Sequence, residues 1–289
     1  MVIMKNPIVN GYYADPEARF YEGKYWIYVT GVSGQYGSQI NLTSFSSADL
    51  KTWQRHDGIV KMSDFPWAVK DIWAPTIIEK NGKYYLMFAS NDILESGAPG
   101  GLELAVADSP EGPFKGMLGR PFLNRFINKA QPIDAHFFKD DDGQIYLYYG
   151  GWAHCNVAKM KEDMTDAAED YKEITPEGYI EGPCMLKRGG VYYFMWSSGC
   201  WKDETYKVMY STAKSPYGPF DNAKTILKAQ AGIADGPGHH GFIKIEGTED
   251  YLIVYHRREI GDLESRHRFL CIDRLDFEDD HIKPIIMTK

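Results

Sequence analysis

Residues 12–30 read YYADPEARFYEGKYWIYVT. An acidic residue, Asp15, precedes a short run that ends in a turn at Gly23, and a strand rich in aromatic residues follows. Two runs of β-branched and aromatic residues around a Gly turn are typical of a β-hairpin. The stretch therefore predicts a hairpin that carries a carboxylate near its start.

The same pattern returns four more times, with turns at Gly82, Gly143, Gly190 and Gly247. Eight or nine residues before each turn lies a matched position, and in chain order these positions hold Asp15, Ala74, Asp134, Glu181 and Gly238. A second pair of apolar runs follows each hairpin, most weakly in the third copy. Units of four strands and about 45–60 residues are typical of propeller blades.

Five such units predict an all-β protein, a five-bladed β-propeller that occupies residues 1–289 as a single domain. Stacking the units around an axis covers both faces of every blade and protects the strand edges. A β-sandwich is disfavoured because its strands do not repeat one motif five times in register.

The charge balance of the chain narrows the class of partner. The 289 residues carry a formal net charge of −8, which disfavours nucleic acid and anionic membranes and fits a neutral substrate. No apolar run approaches the roughly 18 residues of a membrane span. Residues 1–7 lack the features of a signal peptide, so a cytoplasmic protein is expected, or a secreted or periplasmic one if a leader has been removed.

Three acidic side chains occupy the matched positions. Because the innermost strand of each blade lines the central channel, Asp15, Asp134 and Glu181 are expected to meet in one pocket at one end of the axis. Burial and mutual repulsion push at least one of them towards protonation. A protonated carboxyl opposite an ionised carboxylate is what hydrolysis of a glycosidic bond requires.

Five short motifs, taken in chain order, resemble those of glycoside hydrolase family 43. They are Tyr13-Ala-Asp-Pro, Trp73-Ala-Pro, Pro132-Ile-Asp-Ala, Ile180-Glu-Gly-Pro and Gly236-Pro-Gly-His-His. The resemblance extends from residue 6 to about residue 277 and implies a five-bladed propeller that hydrolyses with inversion. It implies that Asp15 is the general base, Glu181 the general acid, and Asp134 the residue that tunes the pKa of the acid and orients it. An active enzyme is therefore expected.

Three further residues are candidates for the site. The resemblance implies that His239 lies near a central calcium ion and holds it mostly through water; the alternative is a hydrogen-bonded channel histidine. It implies that Arg268 reaches the sugar hydroxyls, with Arg257 and Arg266 as rivals. Trp73 is expected either to stack on a sugar face or to pack within its blade. No other cofactor is expected.

These features together predict an exo-glycosidase that acts on oligosaccharides containing arabinose or xylose. Its expected activity is that of an α-L-arabinofuranosidase, with β-xylosidase activity second. An endo-arabinanase remains an alternative if the loops at 31–38 and 91–101 leave a groove open, as do an exo-galactosidase of the same family and a non-catalytic carbohydrate-binding propeller. A retaining, invertase-like fructosidase would need an Asn-Asp-Pro-Asn-Gly pattern, and residues 14–17, Ala-Asp-Pro-Glu, depart from it.

Overall fold

The computed structural model describes residues 5–31 and 41–289, and it is a five-bladed β-propeller, which confirms the predicted fold. Each blade is an antiparallel meander in which neighbouring strands pair in chain order. In the described residues, no helix is both long and apolar enough to cross a bilayer.

The blades follow one another along the chain. Blade 1 comprises β1 (Tyr13–Tyr21), β2 (Lys24–Gly31), β3 (Leu42–Ser47) and β4 (Gln54–Asp57). Blade 2 comprises β5 (Trp73–Lys80), β6 (Lys83–Ser90), β7 (Gly101–Ala107) and β8 (Lys115–Gly116). Blade 3 comprises β9 (His136–Lys139), β10 (Ile145–Tyr149), β11 (Asn156–Lys159) and β12 (Lys172–Glu173). Blade 4 comprises β13 (Glu181–Arg188), β14 (Val191–Ser198), β15 (Lys207–Ala213) and β16 (Lys224–Leu227). Blade 5 comprises β17 (Asp235–Lys244), β18 (Tyr251–Arg258) and β19 (Phe269–Leu275), and a short ribbon follows, β20 (Phe277–Glu278) with β21 (His281–Ile282).

The aromatic strand of the opening stretch is core. Successive side chains of a strand point to opposite faces. Trp26 and Tyr28 therefore pack in the cluster shared with blade 2, and Ile27 and Val29 pack in the cluster shared with blade 5. Because both faces of the blade are covered, the strand reads as a continuous apolar run and not as an alternating one.

The N-terminal segment closes the ring against blade 5. The N–H of Ile8 donates to the carbonyl oxygen of Leu270 at 3.0 Å. The side chain of Asn6 bonds both backbone groups of Ile272, donating to its oxygen and accepting from its N–H, at 2.9 Å each. These bonds make the N-terminal segment the outer neighbour of β19.

A residue with positive φ lies near the start of the innermost strand of every blade. The φ angles are 52° at Asp15, 46° at Ala74, 54° at Asp134 and 63° at Gly182, and in blade 5 they are 50° at Gly236 and 33° at His239. In blades 1, 2, 4 and 5 this residue lies at a shift in the register between the first two strands, as in a β-bulge. The bulge aims the same backbone position of each blade at one end of the channel.

The positions predicted from the sequence agree with the positive φ in blades 1 to 3, and in blade 4 the predicted Glu181 is one residue before Gly182. In blade 5 the predicted Gly238 lies between two residues with positive φ, Gly236 and His239. The alignment counted back from the hairpin Gly, but the hairpin loops contain two residues in blades 1, 2 and 4, five in blade 3 and six in blade 5. In blade 5 the six-residue loop and a second register shift keep the count from fixing the position. In blade 4 the loop is as long as in blades 1 and 2, and the eight-residue spacing that gives Asp15 and Ala74 there gives Gly182.

Candidate active site

The three predicted carboxylates belong to one cluster at the end of the channel. The imidazole of His239 lies between two of them, with Nδ1 3.4 Å from Oδ1 of Asp15 and 3.5 Å from Oδ2 of Asp134. The N–H of Gly182, the residue after Glu181, donates to Oδ2 of Asp134 at 3.0 Å. Blades 1, 3, 4 and 5 therefore meet at this point.

Asp15 is held as an ion. Its side chain is largely buried, Nη1 of Arg268 donates to its Oδ1 at 3.2 Å, and its own N–H donates to Nδ1 of His256 at 3.2 Å. Burial alone would raise the pKa of Asp15, but the charge of Arg268, together with His239 and His256, outweighs burial and lowers the pKa to about 2. This carboxyl is consequently ionised at neutral pH.

Asp134 and Glu181 have the opposite tendency. Burial, followed by repulsion from Glu181 and Asp15, raises the pKa of Asp134 well above its usual value. Burial also raises the pKa of Glu181, although the Tyr206 hydroxyl, which donates to Oε1 at 2.7 Å, offsets part of that rise. Two buried carboxyls that repel each other retain a shared proton to higher pH than either would alone.

His239 lies in the channel, and its imidazole is between Asp15 and Asp134. Its backbone N–H donates to Oγ of Ser197 at 2.9 Å, and burial lowers the pKa of its imidazole. A Cβ built on Gly182 would lie 3.0 Å from Oγ of Ser197 and 3.3 Å from Cγ of His239. Because Gly182 has no side chain, there is space for the His239 ring.

Of the three arginines weighed from the sequence, Arg268 is the one that contacts the carboxylates. Its guanidinium lies 5.3 Å from the ring centroid of Trp201, and that face fixes its orientation. Arg266 instead pairs with Glu264 at 2.9 Å, and Arg257 is buried with Nη1 donating to the Thr288 oxygen at 2.7 Å.

The tryptophans differ in the exposed fraction of their side chains. Trp196 is fully buried, and Trp73 is partly buried and packs against the core between blades 2 and 3. Trp152 is 51% exposed and rests against Phe126, with ring centroids 4.9 Å apart. The next residue in that loop donates its N–H to the oxygen of Ile180 at 3.1 Å, so Trp152 stands on a loop tied to the residue before Glu181.

Two site residues, Tyr206 and His256, were missed from the sequence. Their rings stack with centroids 5.8 Å apart and an interplanar angle of 9°. His256 had little signal, because it follows the apolar run of β18 and precedes two arginines, and only the structure shows that it is fully buried. Tyr206 had none, since it is one of 20 tyrosines and comes from the loop before β15.

Two loops bear on whether the cleft is closed. Residues 32–38 of the first loop lie outside the described residues. The second, which begins after β6, is anchored by Asn91, whose Nδ2 donates to the Trp67 oxygen at 2.6 Å and whose Oδ1 accepts from the N–H of Val69 at 2.9 Å. Exo action stays a prediction.

Glu17 is the channel carboxylate that bears on the expected calcium ion. Oε1 of Glu17 accepts from Arg19 at 2.6 Å and from the N–H of Ala18 at 3.1 Å, while Oε2 accepts from Thr76 at 2.9 Å and from Nδ1 of His136 at 3.0 Å. Calcium takes six to eight oxygen ligands. In residues 5–31 and 41–289, no three His, Cys, Asp or Glu side chains are arranged to hold a metal ion. These residues therefore do not fit a directly coordinated calcium ion.

Comparison with known proteins agrees with the fold. The family model described as glycosyl hydrolases family 43 matches residues 4–282. A β-D-galactofuranosidase of Aspergillus niger is 43% identical over 98% of this chain and 85% of its own length.

Two solved structures carry the same fold. An α-L-arabinofuranosidase from Clostridium thermocellum has a TM-score of 0.78 at 28% identity, covering 95% of this chain and 94% of its own. A β-xylosidase/α-arabinofuranosidase from a compost metagenome, solved with xylotriose in a calcium-free form, has a TM-score of 0.80 at 26% identity, covering 98% and 97%. The predicted resemblance is confirmed: the chain is a glycoside hydrolase and belongs to glycoside hydrolase family 43.

Proposed function

We propose that the protein is an inverting exo-glycosidase that removes terminal furanose residues, with α-L-arabinofuranose as its first substrate. The observation that carries the proposal is that the carboxyls differ in protonation state. Arg268 keeps Asp15 ionised, while burial and repulsion keep a proton on the pair Asp134 and Glu181. Carboxyls whose pKa values are pushed apart supply the base and the acid of one reaction.

Each carboxyl has one role in this mechanism. Asp15 takes a proton from the attacking water, and that water adds to the anomeric carbon on the face opposite the leaving group. Glu181, which is more exposed than Asp134, gives its proton to the glycosidic oxygen. Asp134 accepts from the N–H of Gly182, which stabilises its ionised form and favours the shared proton on Glu181.

The stereochemistry is tested by NMR of the first sugar released. Inversion yields the opposite anomer before mutarotation, and retention would contradict the role of Asp15 as a base, because Asp15 would then be the nucleophile. A non-catalytic carbohydrate-binding role is disfavoured, since all three carboxylates lie in one cluster, with the pKa of Asp15 lowered and those of Asp134 and Glu181 raised.

A β-D-galactofuranosidase is the second candidate, favoured by the relative that is 43% identical. The ring carbons of α-L-arabinofuranose and β-D-galactofuranose have the same configuration, and both sugars carry the aglycone trans to the neighbouring hydroxyl. The galactose adds one hydroxymethyl group outside the ring. A site that grips the ring hydroxyls accepts both sugars unless its wall excludes that group. β-Xylosidase activity requires the same site to accept a six-membered ring.

A panel of aryl glycosides tests the proposal. We expect kcat/KM to be highest on α-L-arabinofuranoside or β-D-galactofuranoside, and lower on β-D-xylopyranoside and β-D-galactopyranoside. Hydrolysis of the xylopyranoside alone would overturn the furanose assignment. Release of large fragments from linear arabinan, with no cleavage of aryl glycosides, would identify an endo-arabinanase instead. Asp15→Asn is the inactive control for each substrate.

A further inference from the structure

Arg19 occupies the channel four residues beyond Asp15 on β1. Its guanidinium donates to three backbone oxygens, from Nη2 to Phe137 at 2.7 Å, from Nε to Ile77 at 3.2 Å and from Nη1 to Ala18 at 3.2 Å. The same Nη1 lies 2.6 Å from Oε1 of Glu17. One cationic group therefore joins blades 1, 2 and 3.

The acceptors around Arg19 are of the type that a hard metal ion uses. Carbonyl and carboxylate oxygens are the ligands that calcium prefers. A guanidinium offers five donors in a plane and keeps its charge under all ordinary conditions. Burial would lower the pKa of Arg19, but the charge of Glu17 outweighs burial and raises it.

The partner of Arg19 connects the matched positions of three blades. Glu17 follows Asp15 by two residues and accepts from Thr76, which follows Ala74 by two, and from His136, which follows Asp134 by two. The hydroxyl of Thr76 also accepts from the N–H of Phe137 at 3.1 Å. A buried carboxylate with these contacts needs a positive charge beside it, and Arg19 supplies that charge.

We propose that the Arg19 guanidinium is the protein's own channel cation and takes the place of a calcium ion. It neutralises Glu17, occupies the oxygens of three blades and leaves the fold without a requirement for a divalent metal. The inference concerns the stability of the propeller and holds for any of the substrates considered above.

The first experiment measures the melting temperature of the full chain, treated with a chelator and then supplied with millimolar calcium. We expect the wild-type melting temperature and hydrolytic rate to be the same in both conditions. A wild-type protein that loses stability on chelation would overturn the proposal.

The second experiment compares variants. Arg19→Met keeps the length of the side chain and leaves Glu17 unpaired, so its melting temperature should fall on the order of 10 °C, and calcium should restore part of the loss. The double variant Arg19→Met with Glu17→Gln removes both charges and should melt above the single variant, without a response to calcium. Arg55→Met is the control, because Arg55 pairs with Asp57 where both side chains are more than half exposed.

Each outcome of the melting experiments either supports or contradicts the proposal. An Arg19→Met protein that melts like Arg55→Met, or that calcium leaves unchanged, would overturn the replacement of a metal by Arg19. If Arg19→Met does not fold without calcium, its recovery of folded protein in calcium supports the proposal, and failure to recover while the double variant folds contradicts it.

Discussion

Arg268 donates from Nη1 to Oδ1 of Asp15 across 3.2 Å, although the two residues are 253 positions apart in the chain. The contact forms because the carbonyl oxygen of Arg268 accepts from the N–H of Tyr13 at 2.7 Å, which fixes the end of the fifth blade beside the start of the first. The closure of the ring therefore sets the charge state of the proposed base.

Removing the guanidinium should move the acidic limb of the pH–rate profile. Burial raises the pKa of Asp15, and Arg268→Met removes the largest of the attractions that oppose burial, so that pKa should rise. Because the base must be ionised, activity should be lost at a higher pH than in the wild type, and kcat/KM should also fall. The profile of kcat/KM against pH measures the shift.

Arg266→Met is the matched control for this experiment. Arg266 is two residues away and pairs with Glu264, so its loss should leave the acidic limb in place. An unchanged limb in Arg268→Met would contradict the electrostatic role of that residue.

Replacing either of the two proposed catalytic carboxyls should lower kcat, but the dependence of that fall on the leaving group should differ between them. Asp15→Asn removes the base and should lower kcat by about a thousandfold on every substrate. Glu181→Gln removes the proton donor, which a dinitrophenyl glycoside does not need because its leaving group is already a stable anion. The fall in kcat of Glu181→Gln should therefore be at least about a hundredfold smaller on that substrate than on an oligosaccharide. Equal losses on both substrates would exclude Glu181 as the acid.

The Tyr206 hydroxyl should control the basic limb. Its hydrogen bond to Oε1 of Glu181 lowers the pKa of that carboxyl, against the larger effect of burial. Tyr206→Phe should therefore raise the pKa of Glu181 and extend activity to higher pH, with some loss of rate. Tyr25→Phe is the control, because its hydroxyl accepts from the Glu246 N–H in the hairpin loop after β17. A basic limb that moves to lower pH would contradict the assignment.

Glu103 should make the protein less stable as pH rises. Burial raises its pKa from 4.5 to about 7, against the hydrogen bonds from Ser90 and Trp67. Below pH 4.5 both folded and unfolded chains are protonated at this group, and between pH 4.5 and about 7 only the folded chain holds the proton, so stability falls across that window.

Glu103→Gln keeps acceptors for both donors and removes the buried charge. Its free energy of unfolding should exceed that of the wild type by up to about 3 kcal/mol at pH 8 and equal it at low pH. Thermal melts at several pH values measure this. Glu162→Gln, at a side chain that is 89% exposed, should show no such dependence. A gain at pH 8 no larger than that of Glu162→Gln would refute the prediction.

The sequence predicted the repeat and the carboxylate cluster because both follow from local patterns. A Gly turn between two apolar runs is visible within 20 residues, and Asp15 and Asp134 recur in step with it. The exact position in blade 5 was not predictable, since a six-residue hairpin loop and a second register shift separate the turn from His239. Tyr206 comes from a loop, and only the stacking of complete blades brings it to Glu181.

The pair Glu17 and Arg19 is recognisable from the sequence as a pattern of charges. The two charged residues alternate along a strand whose neighbours are apolar, and alternation on a strand puts both side chains on one side. Their partners in blades 2 and 3 come from distant parts of the chain and only the structure identifies them. Localisation and the sugar accepted by the site stay predictions.

The positive φ at the start of each blade also changes how backbone strain at the site is understood. A non-glycine residue in this conformation costs of order 1–3 kcal/mol. Ala74 adopts it at 46° without any functional group, and Asp15 and Asp134 adopt it at 52° and 54°. The repeat imposes this conformation in every blade whether or not a reaction takes place there, and only in blade 4 does a glycine at this position, Gly182, avoid the cost among the four positions compared in blades 1 to 4. The propeller thus supplies five equivalent attachment points around one axis, and chemistry can be moved between them by exchanging side chains without building new backbone.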